Sequence, residues 1–257
     1  MGPFSPDDDA ASTDPHTVLR RAAGRAVKRW DSFPYNAAPR PTVLLDSPAR
    51  VDGSFATADA KSAFLCGVVT ADPSVPDEPI RLLRQRHPPG ARLPPRPLKV
   101  TRAVLAEAAF ATDRGEQLCP AWRLEAAGTN GFIWVLTEQA RSRCWAPPAP
   151  TERLGPHVLD HAVPDGDGQG LTVIFVGGPP SLFDYDAEVI ESAAAVTIIP
   201  LRRTIKQLPE RTFITAVGHT RTVHVRLHAP LAGRVLVNLD GTAVAVWPAP
   251  SSANVSS

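Results

Sequence analysis

The sequence predicts an α+β fold dominated by strands, built from antiparallel sheets and meanders with a few short helices. Three observations carry that prediction. From Leu98 onward apolar residues recur with a period of two, the side-chain period of a strand. Twenty-eight prolines in 257 residues interrupt the chain too often for long helices. Beyond residue 170, short apolar segments follow one another closely, separated by turns rich in Gly, Pro and Asp.

Residues 1–16, mostly Asp, Pro, Ser and Ala, offer too little apolar surface to offset ordering and are expected to form a tail. In "TVLRRAAGRAVKRW", Val18, Ala22, Ala26 and Trp30 recur every fourth residue, with Leu19, Ala23 and Val27 beside them. This spacing predicts a helix over 18–30 whose other face carries Arg20, Arg21, Arg25, Lys28 and Arg29. Gly24 in its middle costs about 1 kcal/mol of helix stability. A short apolar strand is expected at 42–45, followed by a second extended piece. "TADAKSAFLCG" reads as a short helix, with Thr57 as N-cap, Asp59 in the first turn and Gly67 as the stop. The proline-dense stretch 72–97 reads as an irregular connector around the apolar segment "IRLL".

"LKVTRAVLAEAAF" is expected to run as a long strand, although its alanines also permit a helix. It leads into the turn Asp113-Arg114-Gly115-Glu116 and the strands "AWRLEA" and "FIWVLT", joined by Gly-Thr-Asn-Gly. Trp122 and Trp134 are expected to pair on opposing strands. The proline cluster at 146–156 marks a boundary. Beyond it, "LTVIFVGG" is a strand, and "AEVIESAAAVTIIPL" opens as a helical turn before becoming strand by Val196. "TFITAV", "RTVHVRL", "RVLVNL" and "TAVAVW" complete an antiparallel meander, with Asp240-Gly241 its clearest hairpin turn. The organisation expected is a tail and basic amphipathic helix (1–40), an α+β unit (41–146), a β-rich unit (157–248) and a C-terminal tail (249–257).

Bulk composition removes several function classes. The balance of 27 basic and 26 acidic side chains leaves no global field to recruit nucleic acid. The excess of 23 arginines over four lysines reads as the codon bias of a GC-rich genome. No apolar run approaches the roughly 18 residues of a membrane helix. The acidic, proline-broken start lacks the features of a secretory signal, and three irregularly spaced cysteines argue against a disulfide framework; a cytoplasmic location is expected.

Each candidate site has a plain structural alternative. Asp113, Arg114 and Glu116 could supply acid–base chemistry and hold an anion, but Asp, Gly and adjacent charges are also hairpin-turn chemistry. His157 and His161 have the four-residue spacing of a metal pair without a helix to hold it, and "DGDGQG" at 165–170 lacks the ligand run of a calcium loop. In "RTVHVRLHAP", Val223, Val225 and Leu227 alternate with Thr222, His224, Arg226 and His228, so the outer row forms a basic strip suited to an anionic group. Arg234 is a further candidate anion ligand. Basic segments 18–30 and 81–102 could lie on nucleic acid but lack interleaved aromatics. Cys66, Cys119 and Cys144 carry no sign of a depressed thiol pKa, and neither phosphate loops nor nucleophile elbows are present. No metal and no cofactor is expected.

Two regions bear a family likeness. "FATDRGEQLCPAW", with Thr112, Asp113, Arg114, Gly115, Ala121 and Trp122, resembles a Thr-Asp-Arg-Gly…Leu-Pro-Ala-Trp segment of a family of actinobacterial proteins, many exported or lipid-anchored. "DYDAEVIES" (Tyr185, Ala187, Glu188, Glu191, Ser192) and "PLAGRVLVNLDG" (Pro230, Leu231, Gly233, Arg234, Leu236, Val237, Gly241) are similar to its second half. The shared order of these motifs over roughly 98–248 carries the resemblance. Cys119 stands where such proteins often have proline or leucine, and Ser181–Phe183 lacks the cysteine frequent there. The resemblance implies an architecture and no activity.

Three functions from different classes remain. The first is a non-catalytic binding module using an exposed sheet face or open strand edge, with a protein or a small anionic ligand as partner. The second is a hydrolase of an anionic small molecule assembled from Asp113, Arg114, Glu116, His224 and His228. The third is nucleic-acid association through 18–30 and 81–102.

Overall fold

The computed structural model describes residues 14–85, 96–145, 159–205 and 218–247. The terminal tails, the proline clusters at 86–95 and 146–156, His157 and the strand expected at 212–217 lie outside the described residues. The architecture is α+β and strand-dominated, with four helices and fourteen strands among the described residues. The chain divides into two compact units, Pro41–Ala146 and the discontinuous Met1–Arg40 with Pro147–Ser257.

The discontinuous unit opens with α1 (Pro15–Lys28). Asp14 caps it, accepting from the backbone N–H groups of His16 and Thr17, and these bonds with the Thr17 hydroxyl hold its carboxyl below the ordinary value. Pro15 sits in the first turn, where a missing N–H removes no helix bond. Ala22, Ala23, Ala26, Val27 and Trp30 are buried, while Val18, the first residue of the expected stripe, is exposed, so the packed face begins at Ala22. The Asp-Pro cap precedes the first apolar residue, which is why the helix starts before Val18.

The unit Pro41–Ala146 holds β1 (Thr42–Val43), β2 (Ala49–Phe55), α2 (Ala58–Leu65), β3 (Val69–Ala71) and α3 (Asp77–Arg84). It continues with β4 (Leu98–Thr112), β5 (Gly115–Ala126), β6 (Thr129–Leu136), α4 (Glu138–Ser142) and β7 (Cys144–Trp145). Five strands form a sheet in the order β2-β6-β5-β4-β3, and β1 pairs in parallel with β7. Ala63 and Phe64 of α2 and Ile80, Leu82 and Leu83 of α3 share a core with Leu124, Ile133 and Val135. Thr57 Oγ1 caps α2 by accepting from Ala60 N at 3.1 Å, and Gly67 ends it at φ +66.

Three expectations for this unit are corrected. The connector 72–97 contains the two-turn helix α3. Its Pro79 falls in the first turn, where proline is tolerated, Asp77 and Glu78 favour the helix N-terminus, and Ile80, Leu82 and Leu83 are buried. The β5–β6 turn is Ala127-Gly128 rather than Gly-Thr-Asn-Gly, because Thr129, Asn130 and Gly131 already pair with β2. Gly131 lies opposite Gly53, both at positive φ, and a Cβ on Gly53 would lie 2.1 Å from the Asn130 carbonyl oxygen. Finally, Trp122 is opposite Val135, and Trp134 is opposite Arg123. This one-residue offset puts the two indoles on opposite sheet faces, so they form no aromatic pair.

The remainder of the discontinuous unit comprises β8 (Leu159–Pro164), β9 (Gly170–Gly177), β10 (Phe183–Glu191), β11 (Ala195–Thr204), β12 (His219–Arg226), β13 (Val235–Val237) and β14 (Ala245–Val246). Two sheets, ordered β12-β9-β8-β14 and β10-β11-β13, enclose one core. Leu171, Val173 and Phe175 meet Tyr185, Val196 and Ile198 there, with the Phe175 and Tyr185 rings edge-to-face at 5.0 Å. On the other face of β11, Ile199 packs on Ala23 of α1.

A simple antiparallel meander is not what forms. β13 runs parallel to β11, and β14 runs parallel to β8. The Asp240-Gly241 turn is present, with Gly241 N donating to Asn238 O, but only the bridge Val237–Ala243 follows before the chain changes sheets. The segment expected to open as a helical turn is β10, because Asp184 to Glu191 pair residue for residue with β11.

Candidate binding edge and charged turns

Thr112 pairs with Gly115, which leaves Asp113 and Arg114 as a two-residue turn between β4 and β5. Gly115 takes φ +81, a conformation that disfavours side chains. Thr112 is fully buried; its hydroxyl donates to Gly115 O at 2.6 Å and accepts from Arg114 N at 3.1 Å. Asp113 is only 3% exposed. Its backbone N–H donates to Val43 O, and its Oδ1 accepts from Val43 N at 3.0 Å. The hairpin turn is what these residues form, with Asp113 buried inside it. Asp113 is a buried clamp on β1, while Arg114 and Glu116 are exposed.

The same hairpin leaves an edge uncovered. β4 is fifteen residues long, yet β3 pairs with only Leu98–Val100. At the far end, Ala111 N donates to Asp46 Oδ2, Leu45 N donates to Ala111 O, and an Arg50 guanidinium donates to Ala109 O at 2.9 Å. These bonds show that Ala109 and Ala111 turn their backbone groups away from β5. In an antiparallel ladder that orientation repeats every second residue. Ala103, Leu105 and Glu107 therefore present N–H and C=O groups outward, and no neighbouring strand takes them among the described residues. The opposite phase agrees: Pro120, facing Glu107, accepts Thr137 N on its far side.

Side chains beside this gap are apolar and uncovered. Leu105 pairs with Trp122, Glu107 with Pro120 and Ala109 with Leu118, all on one sheet face. Leu105 is 59% exposed and Leu118 71% exposed. The other face of the hairpin is covered: Ala108, Phe110, Ala121 and Leu136 are buried there among Leu44, Trp134 and Ala140. The Trp122 indole nitrogen is buried without a hydrogen-bond acceptor among the described residues.

In the discontinuous unit the predicted alternation of β12 holds. Val223, Val225 and Leu227 are buried, while His224 and Arg226 face out. The outer row meets carboxylates of its own unit. His224 Nε2 lies 3.6 Å from Asp165, Arg226 Nη1 lies 3.1 Å from Asp167, and His228 Nδ1 lies 2.8 Å from Glu191 Oε1. Asp167 also accepts from Gln169 N and Gly170 N, which hold its carboxyl below the ordinary value.

Arg234 is nearly buried. It donates to Glu191 Oε2 and to the carbonyls of Ala229 and Pro230. His224, His228 and Arg234 thus belong to one compact unit, and Asp113, Arg114 and Glu116 to the other.

The remaining candidates are also placed. His161 lies on β8 beside Asp160, and no cluster of metal-ligand type occurs among the described residues. On basic segment 18–30, Arg20 pairs with Glu188 at 2.6 Å. Within 81–102, Arg81 pairs with Glu138, Lys99 with Asp72 and Arg102 with Glu125. All three cysteines are free thiols, and burial pushes those of Cys119 and Cys144 up. No helix among the described residues is long and apolar enough to cross a membrane.

Sequence reasoning missed Leu105, Glu107 and Leu118, and Glu191 entered it only through the family likeness. A fifteen-residue strand was legible, but the shortness of its neighbour β3 was not, so the gap had no sequence signal. Comparison of the chain with protein-family models, curated proteins and solved structures gives no match in any of the three.

Proposed function

We propose that this protein is an interaction module that captures a short extended polypeptide segment by adding it as a strand to the open edge of β4. The observation that carries this reading is the coincidence of three outward-facing backbone positions, Ala103, Leu105 and Glu107, with the exposed apolar row Leu105, Pro120 and Leu118. Edge pairing supplies main-chain affinity, and alternate side chains supply selectivity.

The gap also restricts the occupant. β3 closes it at Val100, and the Leu45–Asp46 segment with Arg50 closes it from Ala109. Ala103 to Glu107 span roughly 13 Å of strand. A second copy of the long β4 would run into β3, so a loop or tail segment of about five residues is the occupant that fits. Such an edge, left uncovered, is also an aggregation hazard, which gives the exposed apolar row a reason only if something covers it.

The test is selection of a displayed library of random heptapeptides on the full chain, with affinities then measured by fluorescence anisotropy. Leu105→Pro removes an outward N–H that bonds to no neighbouring strand, so the β4–β5 ladder should survive. Leu105→Lys keeps that N–H and removes the apolar contact. Both variants should weaken the selected peptides at least tenfold while retaining the wild-type fold by circular dichroism. Peptides that bind both variants as tightly as wild type would refute the reading.

A further inference from the structure

Glu107 lies within the open edge, exposed, and it has no ion-pair partner among the described residues. Its setting is apolar: it stands opposite Pro120 and between Leu105 and Ala109 on the same sheet face. At the other end of the gap, Arg102 is paired with Glu125, 3.5 Å away. Arg50 and Asp46 bond to Ala109 and Ala111 beyond the gap, so within Ala103–Glu107 itself Glu107 is the one charged side chain. On the reverse face, Val104 and Ala106 are half-buried and apolar.

We infer that the segment captured at β4 carries a lysine or arginine directly opposite Glu107, followed two residues later by a large apolar side chain opposite Leu105. This inference rests on the strand-addition reading above. The incoming strand runs antiparallel, the pairing that lets Ala103, Leu105 and Glu107 each exchange both backbone bonds with one residue. Because antiparallel numbering runs in opposite senses, the basic residue comes first in the peptide. The residue after it lies beside Ala106, and the next alternate one beside Val104, so both are apolar and preferably β-branched. The fifth position faces Ala103. The occupant is thus a basic–apolar–apolar–apolar segment in extended form, with the cation at its N-terminal end.

The charge pair adds selectivity, because opposite charges directly across a strand pair are favoured and like charges are disfavoured. In this exposed position the preference for lysine over glutamate at that site is about fivefold at low salt, and it shrinks as salt screens the pair.

The experiment repeats the heptapeptide selection in parallel on wild-type protein and on Glu107→Lys. It then measures, by fluorescence anisotropy, one selected peptide synthesised with lysine and with glutamate at the position two before its large apolar residue. The wild type should enrich Lys and Arg there and prefer the lysine peptide about fivefold, and Glu107→Lys should enrich Asp and Glu and reverse the preference. If the two proteins select the same sequences, and binding is still lost in Leu105→Pro, strand addition stands and the basic partner is refuted. If binding persists in Leu105→Pro, both readings fall.

Discussion

The carboxylate of Glu191 and the guanidinium of Arg234 meet at 2.5 Å, with side chains only 12% and 8% exposed. Glu191 Oε1 also accepts from the backbone N–H and the ring of His228, each at 2.8 Å. One carboxylate at the end of β10 thus holds the loop at 228–230, while Arg234 ties that loop's carbonyls to the approach to β13. Arg234 was a candidate anion ligand in the sequence; its anion is internal.

Removing one partner of a nearly buried ion pair leaves the other charge desolvated and unpaired. Glu191→Ala should therefore destabilise the chain by about 3 kcal/mol. The measurement is urea denaturation, with the midpoint lowered and the slope unchanged. A loss below about 1 kcal/mol would show that water reaches the pair and screens it.

The same carboxylate sets a pH dependence. Burial alone pushes the Glu191 carboxyl up, but the His228 backbone N–H, Arg234 and the His228 ring pull it further the other way, so it lies below its ordinary value of 4.5. A folded-state pKa depressed below the unfolded one stabilises the fold above the unfolded value, and that contribution is lost as pH falls through the folded value. Denaturation midpoints should drop on acidification below about pH 4.5, and Glu191→Gln should flatten part of that drop.

Asp113 should behave as a structural residue. In Asp113→Ala the Val43 N–H loses its acceptor in a buried position, at a cost of roughly 1–3 kcal/mol. Asp113→Asn keeps an acceptor oxygen and should cost less. Thermal melts of the two variants provide the comparison, and equal melting temperatures would contradict the clamp.

Two glycines give opposite outcomes. Gly24 lies inside α1 with open space around its Cα, so Gly24→Ala should stabilise the chain by about 0.5–1 kcal/mol. Gly53, at φ +121 and against the Asn130 carbonyl, has no such room, and Gly53→Ala should cost at least about 2 kcal/mol. Paired denaturation curves test both signs.

Local chemistry explains what was readable in the sequence. The four-residue spacing around Ala22 and Trp30, the Thr57 cap with its Gly67 stop, and the alternation through Val223, Val225 and Leu227 each depend on nearby residues, and each reads directly. Helix α3 was hidden because Pro79 counts as a breaker except in a first turn. The faces of Trp122 and Trp134 follow from the β5–β6 register, in which Trp122 meets Val135 and Trp134 meets Arg123, and no residue beside either indole records it. Parallel pairing of β13 with β11 and of β14 with β8 is long-range, and no local pattern encodes it. Among the candidate site residues, Asp113 and Arg234 were visible as charges. Their burial follows from Val43 and Glu191, distant in sequence, and so was not legible. Leu105 and Glu107 looked like ordinary strand residues because nothing nearby records that β3 stops short.

Amide hydrogen exchange along β4 tests the strand-edge account most directly. In the protein alone, the N–H groups of Val104, Ala106 and Ala108 should exchange slowly, because they bond to β5, while those of Ala103, Leu105 and Glu107 should exchange quickly. Adding a heptapeptide selected on the wild type should slow these three together by at least tenfold and leave Val104, Ala106 and Ala108 unchanged. If Ala103, Leu105 and Glu107 were already protected without peptide, or still exchanged freely with it bound, the edge of β4 would not be where this protein takes its partner.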